Sequence, residues 1–319
     1  GPFHEVTFTV EYANAAGPIP MPDVIVTVML GNDTIASLAS DVNGQVTVDS
    51  LGNKSYEVRL DPVTYPFAWG GVNSNDALTI LKHFAGFLQL QGIYEDGADV
   101  TDDGNVMSSD ALEVAKRFAG IVNSFAAGDW LYLEQDFVFD FTGDQVLSYP
   151  LSLLSYGDVN GSHVPVGMKK SSGLRIEQSE SLRSSDQASI PVAVKYATSI
   201  GSVSLGLELP EGVHVGQILM ADGSEALFTQ EGSLLLVSWF DVQGLDLAAG
   251  DVLMTLRLAS AVAVDAEQVR IHPLSEIGDV NAEKLENVTL LLPGSQGTAA
   301  NLAVYPNPAR HNVELQYSV

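Results

Sequence analysis

The sequence predicts a mostly β protein in which two antiparallel β-sandwiches flank a small two-helix module. Three observations predict it. Short stretches of alternating apolar and polar residues, punctuated by Gly, Pro, Asn and Asp, fill residues 4–62 and again 173–293. Between them an acidic loop, Asp99 to Asp110, runs directly into an amphipathic helix ending at Gly120. That loop-helix unit has a partial copy 34 residues upstream, the mark of a duplicated supersecondary unit.

Residues 1–62 are predicted to form a small β-sandwich. His4 to Val10, Asp23 to Val28 and Gln45 to Val48 alternate with period two, and turn residues fall at Gly17-Pro18, Gly31-Asn32-Asp33, Asn43-Gly44 and Gly52-Asn53. With its Pro22-Asp23-Val24-Ile25-Val26 strand, its Ser40-Asp41-Val42-Asn43-Gly44 turn and the closing Leu51 and Tyr56-Glu57-Val58, the stretch resembles carboxypeptidase-regulatory-like or Cna-B-like modules. Those motifs imply a fold and no reaction. Gly1-Pro2 reads as a protease scar, so an upstream leader is expected to have been removed.

Residues 63–130 carry the repeat. A hard cation takes six to eight oxygens from a tightly turned loop, at positions 1, 3, 5, 7 and 12 with Gly at 6. Asp99, Thr101 and Asp103 fill 1, 3 and 5, Gly104 sits at 6, the Asn105 carbonyl at 7, and Asp110 closes at 12. The upstream copy, Val72 to Gly86, matches Val106 to Gly120 at Val, Ser, Asp, Ala, Leu, Lys, Phe, Ala and Gly. Its own front half is lost: Tyr65, Phe67 and Trp69 stand where ligands 1, 3 and 5 belong, leaving Asn73 and Asp76. Gly157-Asp158-Val159-Asn160-Gly161-Ser162 has the form of the missing half. Either Asp158, Asn160 and Ser162 fold back beside Asn73 and Asp76 to complete a split second site, or the segment is a plain Asx turn.

The loop ending in Ser-x-Asp-Ala-Leu resembles the dockerin module, which is built of paired loop-helix units and whose exiting helix is usually a recognition surface. The resemblance implies Ca2+ as cofactor and a partner-facing surface on the two helices, at Leu78, Lys82 and Phe84 in one and Leu112, Lys116 and Phe118 in the other. A closing Asp departs from EF-hand loops, which carry Glu at that position.

Residues 131–172 are expected to be an extended connector, with a strand at Phe137 to Phe141. Asp140-Phe141-Thr142-Gly143-Asp144 reads as a turn, lacking both the Gly at position 6 and a closing acid. Residues 173–293 alternate in Ala188 to Val194, Ser202 to Leu209, Leu234 to Phe240 and Val252 to Leu258. With Ile200 to Val213, the Val237-Ser238-Trp239-Phe240-Asp241 run and the closing strand Gly250 to Leu258, this domain resembles cohesins, the usual receptors of dockerins. Residues 294–319 carry Val304-Tyr305-Pro306-Asn307-Pro308 and resemble the opening of a type IX secretion sorting domain, which implies a truncated sorting signal behind a linker.

Composition excludes several classes of function. Forty acidic against 14 basic residues give a net charge of -26, which disfavours nucleic acid and anionic membrane as partners. With no cysteine there is no disulfide, thiol nucleophile or thiolate zinc site. No apolar run is long enough to span a membrane. The six histidines, His4, His83, His163, His214, His272 and His311, lack metalloprotease spacing, and no nucleophile elbow or phosphate loop is present.

The expectation is therefore a non-catalytic, secreted or cell-surface protein that mediates adhesion or assembly through a protein partner or a second copy of itself. The competing expectation is an accessory region of a larger glycan-acting enzyme, holding polysaccharide on Trp69, Trp130 and Trp239.

Overall fold

A computed structural model describes residues 4–61, 69–132, 135–138, 147–165, 173–179, 181–182, 188–259, 268–294, 303–305 and 314–316. The fold is mostly β, with several antiparallel sheets and a helical pair.

Six strands open the chain: β1 (His4–Tyr12), β2 (Ile19–Pro20), β3 (Ile25–Leu30), β4 (Asp33–Ala39), β5 (Gln45–Leu51) and β6 (Ser55–Asp61). Alternation decides which face is buried. Val6, Phe8, Val10 and Tyr12 are wholly inaccessible, while Glu5, Thr7, Thr9 and Glu11 between them keep contact with solvent. Three further strands come from beyond the helical module: β7 (Trp130–Tyr132), β8 (Gln135–Val138) and β9 (Leu147–Ser155). β9 lies parallel to β1 from Val6 opposite Leu147 to Tyr12 opposite Leu153, β7 pairs with β9, and β8 pairs with β6. Within the stretch expected to be an extended connector, β7, β8 and β9 are thus strands of the two sheets of the first sandwich, and the module sits between β6 and β7. Phe139 to Asp144 lie outside the described residues.

The Asp41 turn shows how the sandwich is pinned. The Asp41 carboxylate accepts the Asn43 and Gln45 amides, both at 2.8 Å, and these bonds hold it below the usual carboxylate range. Gly44 then takes a left-handed φ of +73°, and a Cβ there would lie 2.2 Å from the Val10 carbonyl oxygen. Gly44→Ala is expected to cost about 2–3 kcal/mol, read as a lower denaturant midpoint at unchanged slope.

The module comprises α1 (Ser74–Phe84), the single turn α2 (Ile93–Asp96) and α3 (Ser108–Phe118). α1 and α3 pack together around Ala77, Ile80, Ala111, Val114 and Ala115, with Val72, Val100, Phe125 and Val159 closing the cluster. Gly86 and Gly120, equivalent in the repeat, end both helices at φ +77° and +73°, where a side chain would be strained.

The second sandwich contains β10 (Arg175–Ser179), β11 (Ser189–Val194), β12 (Thr198–Glu208), β13 (Val215–Met220), β14 (Leu227–Glu231), β15 (Leu234–Leu247), β16 (Val252–Leu258), β17 (Arg270–Ile271), β18 (Glu276–Gly278) and β19 (Thr289–Pro293). One sheet runs β10-β19-β11-β16-β13; the other runs β14-β15-β12-β17, with β18 also on β12. Val203, Leu205, Leu207, Leu235, Val237 and Leu256 fill the core between them. Strand β12 is buried on both faces: its core side carries Val203, Leu205 and Leu207, and the opposite side carries Ser202, Ser204 and Gly206. Small residues there leave room for another element to approach.

At the C-terminal end, β20 (Ala303–Tyr305) pairs antiparallel with β21 (Glu314–Gln316). The remainder of the Val-Tyr-Pro-Asn-Pro run, Pro306 to Pro308, lies outside the described residues.

Candidate calcium sites and docking interface

The contiguous loop is wound around two carboxylates. Asp99 accepts the Asp103 amide at 3.1 Å and the Gly104 amide at 2.8 Å. Asp110, fully buried at the start of α3, accepts the Thr101 amide at 3.0 Å, the Thr101 hydroxyl at 2.9 Å and the Met107 amide at 2.9 Å. Asp102 and Gly104 turn the loop at φ +57° and +84°. Asp103 holds the Asn105 amide at 2.9 Å. These bonds exist because the short acidic side chains meet backbone N–H groups that a tight loop leaves unpaired.

The separated residues build a second loop with the same bonds. Asp158 accepts the Ser162 amide at 3.0 Å and the His163 amide at 3.1 Å, as Asp99 accepts Asp103 and Gly104. Asp76 accepts the Asn160 amide at 3.1 Å and the Asn73 amide at 3.0 Å, as Asp110 accepts Thr101 and Met107. Gly161 turns the chain at φ +59° where Asp102 does in the first loop. Asp158, Asn160, Ser162, Asn73 and Asp76 therefore occupy positions 1, 3, 5, 9 and 12 of one loop made from two segments. Tyr65 and Phe67 lie outside the described residues; Trp69 packs edge-on to Phe125, beneath the Arg117 guanidinium.

Asp76 and Asp158 are both inaccessible to solvent. Burial first, and the Asp158 charge second, push the Asp76 carboxyl well above its ordinary range. Among the described residues no three His, Asp or Glu side chains form a ready metal cage. The donor set is nevertheless all oxygen: carboxylates, Asn and Thr or Ser groups, and carbonyls. That chemistry fits a hard divalent cation such as calcium and suits neither zinc nor copper.

The start of α1 also makes the contact with the second sandwich. Asn73, rather than Ser74, caps α1, its side chain accepting the Asn75 amide at 2.7 Å. Ser74 is thereby free to face the β12–β15 sheet. Its amide donates to Ser204 Oγ at 2.7 Å, its hydroxyl donates to the Val203 carbonyl at 2.8 Å, and its Oγ lies 2.8 Å from Ser238 Oγ. Asn75 Oδ1 accepts from Ser202 at 2.9 Å, and Lys82 Nζ donates to the Val280 carbonyl at 2.6 Å. Leu78 is buried against Gly201. At the far end, Thr229 donates to the Ala119 carbonyl.

Of the residues expected to face a partner, Leu78 and Lys82 thus meet this chain's own sandwich. Phe84 and Leu112 are exposed, Lys116 pairs with Glu113 at 2.8 Å, and Phe118 is half-buried. Trp239 lies in the core and donates to Ser224 at 3.0 Å; Trp69 and Trp130 are partly buried. Ser74, Asn75, Ser202, Ser204 and Ser238 were not singled out as contacts from sequence. Their signal was there in Gly201-Ser202-Val203-Ser204-Leu205-Gly206, a strand with small residues at every second position. A second signal is the tetrapeptide Gly-Asp-Val-Asn, present at 157–160 and again at 278–281, where its valine carbonyl receives Lys82.

These features define a paired loop-helix module seated on a β-sandwich. Residues 70–119 match the dockerin type I domain. Among solved structures, the chain is similar to a non-cellulosomal cohesin from the hyperthermophilic archaeon Archaeoglobus fulgidus, at 18% identity and TM-score 0.25, over 41% of this chain and 91% of that one. It is also similar to BcpA, the major pilin subunit of Bacillus cereus, at 9% identity and TM-score 0.28, over 92% and 69% of the two chains. No curated protein matches the chain.

Proposed function

We propose that this chain is an extracellular, non-catalytic assembly or adhesion protein whose dockerin-like module is held by two calcium ions. In this reading the module, inserted within a Cna-B-like sandwich, is docked on a cohesin-like sandwich of the same chain, and the C-terminal segment is a secretion signal. The observation that carries the reading is the grip of Ser74 and Asn75 on the Ser-lined face of β12 and β15, immediately beside a calcium-type loop. The joint is hydrogen-bonded on both sides, and the match of residues 70–119 to the dockerin type I domain supports protein–protein assembly.

Asp99, Thr101, Asp103, Asn105 and Asp110 would hold one ion, and Asn73, Asp76, Asp158, Asn160 and Ser162 the other. Calcium supplies the positive charge that lets buried carboxylates stay ionised side by side. The chain's residues supply the turn geometry and close each loop at a helix start. Weak calcium loops of this type fit the roughly millimolar calcium outside cells.

Calorimetric titration of the chelator-stripped protein is expected to give two calcium ions per chain, one of them in Asp99→Ala and none once Asp158→Ala is added. A single ion lost in Asp99→Ala would leave 158–162 as an Asx turn; no binding would remove the calcium reading. Calcium-dependent self-association or pull-down of a cohesin-like partner would support assembly. Retention on insoluble polysaccharide without it would favour the carbohydrate-binding alternative.

A further inference from the structure

The half-loop 158–163 is not held by the helical module alone. The end of β1 runs beside it and grips it at three points. Tyr12 Oη donates to Asp158 Oδ2 at 2.5 Å, Asn14 Nδ2 donates to the His163 carbonyl at 2.8 Å, and the Ala15 amide donates to the Gly161 carbonyl at 3.0 Å. The Tyr12 ring stands edge-on to His163 at 5.4 Å and to Trp130 of β7 at 6.3 Å, so its direction is fixed. The Ser155 amide donates to the same hydroxyl at 3.2 Å, which leaves the hydroxyl proton for Asp158. Burial, with the Asp158 charge beside it, pushes the Tyr12 hydroxyl far above the usual phenol range.

We propose that Tyr12 is a positioning residue for the split calcium site, through which the first sandwich sets the affinity of that site and not of the contiguous loop. The inference rests on the reading that calcium fills the split site. A carboxylate that must ligate at position 1 gains when its other oxygen is already aimed by a rigid donor, and outer partners of this kind commonly carry 10–100-fold of metal affinity. Among the described residues no side chain of the sandwich hydrogen-bonds Asp99, which is held by its own loop amides. In the split site, by contrast, β1 supplies what chain continuity supplies in the other. Order in β1 and occupancy of the site are then linked, and calcium stabilises a strand that contributes no ligand.

The test is calorimetric calcium titration of the full chain carrying Tyr12→Phe, with Tyr149→Phe on β9 as a tyrosine control in the same sandwich. In Tyr12→Phe, the affinity of one site is expected to fall roughly 10–100-fold with the other unchanged; Tyr149→Phe should leave both unchanged. Two sites in the wild type that are both indifferent to Tyr12→Phe would overturn the positioning role and leave the two-site reading standing. A wild type that binds a single ion would overturn both. Should Tyr12→Phe fail to fold, amide hydrogen exchange of His4 to Tyr12 decides the matter in the Asp99→Ala protein. Slower exchange of that strand in calcium than in chelator is expected, and identical exchange would overturn the proposal.

Discussion

Asp158→Ala is expected to remove one of two bound calcium ions and to destabilise the protein far more in calcium than in chelator. Asp158 is inaccessible and receives the Tyr12 hydroxyl and the Ser162 and His163 amides. Truncation strands those donors, each at a cost of about 1–3 kcal/mol when buried. Some of that is offset without metal, because the Asp76 carboxylate no longer faces a second buried charge. In calcium there is no such offset. The ion's own contribution, about 2.7 kcal/mol at a hundredfold excess over its dissociation constant, is lost as well. Unfolding in denaturant, with calcium and with chelator, measures the difference directly. Equal destabilisation under both conditions, with two ions still bound, would sink the split site.

The second large effect is expected at the joint between module and second sandwich. Gly278 has an ordinary backbone conformation, yet a Cβ there would fall 2.0 Å from Asn75 Oδ1 and 2.6 Å from Ser202 Oγ. Gly278→Ala therefore leaves both bodies able to fold and removes the space in which α1 sits. Overpacking costs about 1–3 kcal/mol where the surroundings can shift. The joint is held by hydrogen bonds worth about 0.5–1.5 kcal/mol each, so a displacement that breaks several of them exceeds what the rest can hold. Gly278→Ala is expected to split a single calorimetric transition into two and to expose Ser74 and its neighbours to hydrogen exchange. The near-UV signal of Trp239, in the core of the sandwich, should persist. A single unchanged transition would show that the Ser74–Asn75 contact does not couple the two bodies.

Much of this was legible in the sequence because it is local. Alternation in His4 to Val10 decides a strand with one buried face whatever follows it. The Asp99 to Asp110 loop is closed by bonds spanning at most nine residues, so spacing alone identifies it. Equivalence of Ser74 to Ser108 and of Gly86 to Gly120 exposes the duplication without any structure.

Other features depend on where distant segments meet. That β9 lies parallel to β1, returning after the whole module, could not be read from the alternation of Leu147, Tyr149, Leu151 and Leu153, which marks a strand and leaves its partner open. The Gly-Asp-Val-Asn tetrapeptide at 157–160 was ambiguous in sequence because an Asx turn and half a calcium loop need the same residues. What separates them is whether a carboxylate stands opposite. Asp76 does so from 84 residues before Asn160. Ser74 stands likewise beside the helix start, where Asn73 supplies the cap and a Ser-lined sheet covers Ser74 itself. By itself the sequence determined the alternating strands such as His4 to Val10, their turns, the repeated helices and one complete oxygen-donor loop, since each leaves its pattern within about ten residues. Tertiary structure alone decided which half-loops pair and which helix face is covered, because closing a long chain segment leaves no periodic trace in the residues it joins.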